Sequence, residues 1–271
     1  MTTSSQRPQL YPEGIETRWR DYEWEIAGPV PQDPAMNLAL DEVFTRKVGE
    51  GARRPFLRFW GWARPCVVIG RFQSVSNEIH LDRADELGIQ IVRRISGGGA
   101  MLIEPESAIT YSAYLPPAMV DDLTFPESYA FLDSWIISAL RDLGLDAWYE
   151  PLNDITSSGG KIGGAAQARR DGAVLHHTTM AYDMTEGLLT QVLRIGLEKI
   201  RDKGIRSADA RVGPLRQQTH MSRDEIIGHL HSSFVELTGA RDVDLDSADV
   251  EEARTLVDEK FGNDDWTFLL P

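Results

Sequence analysis

The chain has a single cysteine, Cys66, in 271 residues. One thiol excludes an intrachain disulfide and fits a reducing cytoplasm. No apolar run approaches the ~18 residues that a membrane helix requires. The first segment, Met1 to Gly14, is polar and lacks the apolar core of a secretory leader. Positive charge is scarce: 28 Lys and Arg stand against 42 Asp and Glu, a net charge of −14. Nonspecific binding to nucleic acid or to an anionic membrane needs the opposite balance, so neither is expected as a partner. There is no G-x-S-x-G nucleophile elbow and no Walker A lysine loop. His80, His220, His229 and His231 show no zinc spacing with Cys66 or with His176-His177. Adjacent strand residues point to opposite faces, so His176 and His177 cannot chelate one ion together. Cys66 follows Arg64-Pro65 and opens the apolar run Val67-Val68-Ile69, which reads as a buried, inert thiol.

What remains is an ordinary globular composition, with 42% hydrophobic and 26% charged residues. Residues 1 to 18 read as a loosely held tail. Asp33-Pro34 caps and opens a helix with the stripe Met36, Leu40, Val43, Phe44. Strand-like runs follow at Phe56 to Trp60, Cys66 to Ile69, Ile89 to Val92, Ala100 to Ile103 and Ala108 to Leu115, with a short helix at Leu81 to Leu87. Pro126 starts a long helix ending near Gly144, and Leu145 to Tyr149 reads as a strand. Arg170-Asp171-Gly172 signals a hairpin between Lys161 to Arg170 and Ala173 to Asp183. From about residue 184 the chain reads as mostly helical, including a Ser222/Glu225 capping box and a helix from Ser247 to Phe261. Interleaved helices and hairpins predict an α/β (α+β) fold with a mixed sheet flanked by helices.

Two segments combine fixed positive charge with nearly bare backbone. One is Arg93-Arg94-Ile95-Ser96-Gly97-Gly98-Gly99-Ala100; the other runs from Gly159 through Lys161, Gly163 and Gly164 to Gln167. A triple glycine between two strands serves either as a flexible hairpin tip or as backbone for a ligand to approach; it does not match a dinucleotide fingerprint. Lys161 is either a solvated strand-end lysine or a cation beside a trough of Gly163, Gly164, Ala165 and Ala166. In the second case its ammonium would stabilise oxygen charge as an acyl carbonyl is attacked. Asn153-Asp154 reads equally as an Asx turn or as a carboxylate that holds Mg²⁺ or orients an amine.

These pieces resemble the lipoate–protein ligase family, within the wider biotin/lipoate ligase and octanoyltransferase superfamily. The resemblance runs from about Arg18 to Phe268 through Asn37-Leu38-Ala39-Leu40-Asp41-Glu42, Val67 to Gln73, Arg93 to Ala100, Asn153-Asp154, Lys161 to Gln167, His176-His177 and Asp265-Trp266-Thr267-Phe268. It implies one catalytic domain over 19–271 with the class II aminoacyl-tRNA synthetase and biotin ligase core. It implies activation of lipoate by ATP, with Mg²⁺, to lipoyl-adenylate, then transfer to a lysine of a lipoyl domain. Acceptors would be 2-oxoacid dehydrogenase complexes or the glycine-cleavage H protein. Lys161 would touch acyl and phosphate oxygens. Arg94, Ser96, Gly97, Gly98, Gly99, Ala100, Met101, Leu102 and Gly164 would line substrate and nucleotide. Asn153 and Asp154 would sit near the phosphate, with Asp154 the metal ligand.

Three departures from the family pattern bear on activity. Ile103-Glu104 stands where a His-Asp pair beside the nucleotide is common, and Thr178 stands where a glycine is usual. With Pro271 closing the chain, no accessory C-terminal domain is expected, and a separate small partner protein would supply that role. Related octanoyltransferases attack through a cysteine between the long helix and the Lys161 segment; Trp148 to Gly160 contains none. An ATP-independent octanoyl or lipoyl transferase using a carrier protein, and a noncatalytic binder of lipoate or lipoyl-adenylate, are the alternatives to the ligase.

Overall fold

A computed structural model describes residues 9–194 and 212–271 of the chain. Among them an eight-stranded mixed sheet is laid down in the order β11-β1-β2-β6-β10-β9-β8-β7, beside a smaller sheet β4-β3-β5. The large sheet comprises β1 (Glu25–Gln32), β2 (Phe56–Trp62), β6 (Ala108–Leu115), β7 (Ala147–Glu150), β8 (Asp154–Ser157), β9 (Gly160–Arg170), β10 (Ala173–Ala181) and β11 (Arg241–Asp242). The small sheet comprises β3 (Cys66–Ile69), β4 (Gln90–Arg93) and β5 (Met101–Ile103), with the short helix α2 (Leu81–Glu86) between β3 and β4 in the chain. β1 runs parallel to both β2 and β11, while the pairs from β2 through β6, β10, β9 and β8 to β7 are antiparallel. The sheet is therefore mixed, as the interleaved pattern predicts.

Every residue of β2 and of β6 is buried because both faces of the sheet are covered. Helix α1 (Pro34–Gly49) lies on one face, started by the Asp33 carboxylate, which accepts the Ala35 N–H at 3.1 Å. Phe44 packs there against Phe56 and Tyr114. The other face carries α3 (Phe125–Leu132), α4 (Ser134–Asp142) and α5 (Arg223–Thr238), where Trp19, Trp24, Phe131, Trp135 and Phe234 form an aromatic cluster. The Ser222/Glu225 capping box starts α5, and α6 (Ser247–Leu256) continues as a π turn to Phe261.

Three expectations are revised. The long helix predicted from Pro126 to Gly144 begins at a Thr124/Glu127 capping box and breaks at Asp133 into α3 and α4. At the junction the buried Asp133 Oδ1 accepts from Tyr111, Thr178 and His176, while the backbone bonds straight through, the Asp133 N–H to the Tyr129 carbonyl (2.9 Å) and the Ile137 N–H to the Asp133 carbonyl (3.1 Å). The tail is bound before Arg18: Tyr11 packs edge-on against Phe131, and Arg18 pairs with Asp122 at 2.7 Å. β1 and β8 were not anticipated at all. Of the helical stretch expected after residue 184, 195–211 lie outside the described residues. No helix of the described residues is long and apolar enough to cross a membrane.

Candidate active site

The glycine-rich loop leaves β4 with two arginines that both turn inward. Arg93 is fully buried and donates to the carbonyls of Gly70 (2.9 Å), Gln73 (2.7 Å) and Thr267 (2.9 Å). It thereby ties the loop base to the C-terminal segment, whose Trp266 indole N–H donates back to the Arg93 carbonyl at 2.7 Å. Arg94 donates to the carbonyls of Val68, Gly97 and Gly99 and to Ser96 Oγ. Burial pushes its pKa down to about 10, so it stays charged at neutral pH. Backbone carbonyls, rather than solvent, surround both cations. They hold the loop in shape, Arg94 being the one that the family resemblance sets beside the substrate.

The glycines are then held against two neighbours. Gly70 ends β3 under the loop, where a Cβ would meet the Gly98 carbonyl at 2.1 Å. Gly98 has φ +93°, and a methyl there would come within 2.8 Å of the Arg94 guanidinium and 3.8 Å of Ala166 Cβ. The triple glycine thus stands directly over β9, and the two bare segments picked out in the sequence meet in space.

On β9, Gly164 and Ala166 form the floor. A Cβ on Gly164 would lie 3.4 Å from Asp154 Oδ1 and 3.5 Å from Lys161 Nζ. Lys161 returns to that face because the β8–β9 register shifts at Ile155/Thr156, with Ile162 turned into the core. Its ammonium donates to Asp154 Oδ1 at 2.7 Å, both side chains being partly exposed. The two adjacent glycines of β9 serve different ends. At Gly163 a Cβ would sit 2.4 Å from the Thr179 carbonyl; Gly163→Ala is expected to lower stability by ~1–3 kcal/mol through overpacking. Gly164→Ala meets only ordinary contact distances, so it should fill the trough while leaving the denaturation midpoint in place. Thermal melts of the two variants check both.

Asn153 extends the β8–β9 ladder: its side-chain amide donates to the Ala165 carbonyl, and its own carbonyl accepts the Ala165 N–H at 2.8 Å. Its side chain is committed to backbone. Asp154 is a lone carboxylate already paired with an ammonium, and the described residues hold no cluster of three or more His, Cys, Asp or Glu. That does not make a protein cage for a resident ion, but Mg²⁺ carried on substrate phosphates keeps several waters and takes only one or two carboxylates, which Asp154 would supply on leaving Lys161. Ala100 and Leu102 pack against the cluster of Val67, Ile69, Val75 and Ile79, and Met101 packs against the α1 core. Glu104, where the family pattern commonly has Asp, accepts from the Thr185 N–H (3.2 Å) and hydroxyl (2.9 Å). It borders a cavity of about 280 Å³ shared with Tyr182, Asp183 and Arg216.

Sequence reasoning missed the polar core behind the loop. Asp41 of α1 is buried, and its Oδ1 accepts from Arg58 (3.1 Å), Ser112 (3.0 Å) and Tyr114 (2.5 Å), while Oδ2 meets His177 Nδ1 at 3.0 Å. The other ring nitrogen of His177 lies 2.6 Å from Ser96 Oγ. A signal was present: Asn37, Asp41 and Thr45 recur every fourth residue inside an otherwise apolar stripe, and Arg58 interrupts an aromatic strand. Cys66 is fully buried in β3, and burial pushes its thiol pKa far up. It offers no nucleophile.

Comparison with known proteins meets this geometry. The lipoyl protein ligase A/B catalytic domain matches residues 33–235. Lipoate-protein ligase A subunit 1 of Thermoplasma acidophilum is 32% identical over 255 residues, covering 89% of this chain and 94% of that protein. An octanoyltransferase LipM of Halalkalibacterium halodurans is 28% identical over 279 residues, covering 90% of this chain and 98% of that one. The structure of the bipartite lipoate protein ligase from Thermoplasma acidophilum, described with its E2 lipoyl domain, superposes with a TM-score of 0.79 at 30% identity, over 92% of this chain and 97% of that one. A lipoate-protein ligase A crystallised with ATP superposes at 0.80 and 28% identity, over 92% of this chain and all of that one.

Proposed function

Because the chain belongs to the lipoyl protein ligase A/B catalytic-domain family, a family of lipoyl and octanoyl ligases and transferases, we propose that it is an ATP-dependent lipoate–protein ligase. The observation that carries this reading is the Lys161 ammonium beside the Gly164 floor of β9, the strand whose Ala166 the glycine loop approaches, with the chain's one thiol buried. In the first step a lipoate carboxylate oxygen attacks the α-phosphorus of ATP and pyrophosphate leaves. In the second, a lysine amine of a lipoyl domain attacks the lipoyl carbonyl carbon, the amide forms and AMP departs. Both steps build negative charge on oxygens within reach of one cation. Lys161 answers that need if it exchanges Asp154 for the reacting oxygens, and a partly exposed ion pair gives way at little cost, ~0–1 kcal/mol. ATP enters with its magnesium as substrate. The bipartite Thermoplasma ligase and its lipoyl domain support a lipoyl-domain acceptor here, together with a separate accessory subunit.

The likeness to octanoyltransferases named LipM supports one competing reading, acyl exchange from a carrier without ATP. Thioester exchange of that kind requires a thiolate, and the chain's one cysteine is sealed in β3. Cys66→Ala is therefore expected to leave transfer unchanged and to cost only the ~1 kcal/mol of a small cavity. The deciding experiment follows the mass of a purified lipoyl domain incubated with this protein, lipoate, Mg²⁺ and ATP. A lipoyl mass gain that disappears without ATP is expected; gain from an octanoylated carrier alone would overturn the ligase reading. Gain only from preformed lipoyl-adenylate would assign activation to the accessory subunit.

A further inference from the structure

Two consecutive histidines of β10 reach in opposite directions through the sheet. His176 meets Asp133 Oδ1 at 2.8 Å on the α3/α4 face and receives the Gln167 amide at 3.2 Å. His177 lies on the α1 face, between Asp41 Oδ2 and Ser96 Oγ. The second set forms an unbroken chain from the core to the glycine loop. Its proton positions follow from the partners. Asp41 only accepts, so His177 Nδ1 carries the proton and donates to it; Nε2 of the neutral ring then accepts from the Ser96 hydroxyl. Arg94 Nε donates to the same Ser96 oxygen at 3.1 Å, and the rest of its guanidinium holds the Gly97 and Gly99 carbonyls. Ser96 and His177 are almost wholly buried.

We propose that Asp41, His177 and Ser96 form a positioning relay that fixes the height of the glycine loop above the β9 trough, with His177 acting as a neutral imidazole and not touching substrate. The charged and titratable groups around that ring are Asp41 from α1, Arg94 from the loop and His176 on its own strand, with Arg58 and Tyr114 sharing Asp41. Burial, together with Arg94 and His176, outweighs the Asp41 contact and holds the imidazole below its usual value. The relay is thus intact at neutral pH and is lost as pH falls through the folded-state value. A protonated ring would point a donor at a serine that already accepts from Arg94.

The relay rests on the proposed ligase activity only for its kinetic readout; its structural readout uses the ligand-free protein. Hydrogen exchange is followed at the Arg71 N–H, which donates to the Ser96 carbonyl at 2.8 Å, and at the Arg94 N–H, which donates to the Ile69 carbonyl at 3.0 Å. Ser96→Ala is expected to raise exchange at both about tenfold while the β10 amides stay protected. KM for ATP and lipoate should rise about tenfold with kcat within about twofold, because an ordering of the site serves ground and transition states alike. Ser96→Thr, which keeps the hydroxyl, should restore both readouts. His177→Gln should reproduce the Ser96→Ala exchange and abolish the acid limb of the KM profile. Raised KM with unchanged loop exchange would overturn the proposal by making Ser96 a direct substrate contact. Unchanged exchange and unchanged KM would overturn it by making the relay idle.

Discussion

Lys161→Ala should lower the rate of lipoyl transfer by roughly 10²–10³-fold, the scale observed when one preorganised donor to a developing oxyanion is removed, while the melting temperature hardly moves. The two halves of that expectation have separate grounds. Stability is spared because the side chain is 43% exposed and Asp154, its ion-pair partner among the described residues, is 32% exposed; such pairs contribute ~0–1 kcal/mol. The structural work of this residue is done by its backbone, whose carbonyl accepts the Gly213 N–H at 2.8 Å and whose position pairs with Thr156. Alanine keeps all of that. Activity is lost because the cations of the glycine-rich segment, Arg93 and Arg94, are buried against backbone carbonyls and do not replace the ammonium at β9. Single-turnover mass measurement with preformed lipoyl-adenylate isolates the second step, and its ATP-started counterpart reports the first. A variant that transfers at the parent rate would remove Lys161 from the chemistry and with it the ligase mechanism. Lys161→Arg is a useful companion: the wider, planar head carries the same charge, yet must fit beside Asp154 over a floor where a Cβ on Gly164 would come within 3.5 Å of the ammonium. Partial recovery would indicate that charge matters more than shape.

The contrast between Lys161 and the two arginines marks where sequence reading reaches its limit. Bare backbone beside charge could be seen from residue types alone, and the two glycine-rich segments do meet across Gly98 and Ala166. What residue types cannot reveal is which partner each cation finds. Arg93 takes the Thr267 carbonyl from the far end of the chain, a contact with no local signature. Local signals did well where local physics decides. Asp33-Pro34 starts α1, and Asp171-Gly172, both at positive φ, close the β9–β10 hairpin. They failed where tertiary pairing decides. β1 contains Gly28, Pro29 and Pro31 and reads as a loop, but its bulge between Ala27 and Val30 and its exposed outer half accommodate them beside β2. β8 has four residues, and Asn153-Asp154 at its start looks like a turn until β9 is present to pair with it. The role of Asp133 inside the helical stretch is hidden for the same reason, since its partners Tyr111 and His176 lie on β6 and β10. Asn37, Asp41 and Thr45 form an intermediate case. A polar line at helical spacing inside an apolar stripe is legible as an anomaly, and only the fold says that its partners are Arg58, Tyr114 and His177.

Asp41→Ala should be among the most destabilising single changes in the chain, costing ~3–5 kcal/mol, because it removes one member of a buried ion pair and strands the other. Arg58 is 2% exposed. Without the carboxylate its guanidinium keeps neutral acceptors, Asn37 Oδ1 at 2.9 Å, the Asn37 carbonyl at 3.0 Å and the Tyr114 hydroxyl at 3.3 Å. The Tyr114 and Ser112 hydroxyls and His177 Nδ1 lose their acceptor in the same step, and alanine cannot refill the volume. Against a typical total of 5–15 kcal/mol, that loss should lower the melting temperature on the order of 10 °C. Asp41→Asn separates charge from shape. It keeps one acceptor oxygen and most of the volume, so it should recover about half of the loss if orphaned hydrogen bonds dominate and little of it if the uncompensated Arg58 dominates. The double variant Asp41→Asn with Arg58→Met completes a cycle: if the uncompensated charge is what costs, removing it as well should return stability towards the parent, as replacement of buried ion pairs by apolar groups commonly does. A single Asp41→Ala variant that melts within a degree or two of the parent would mean that the carboxylate contributes nothing net to the core, and that its place beneath the glycine loop must be explained by what it holds in position instead.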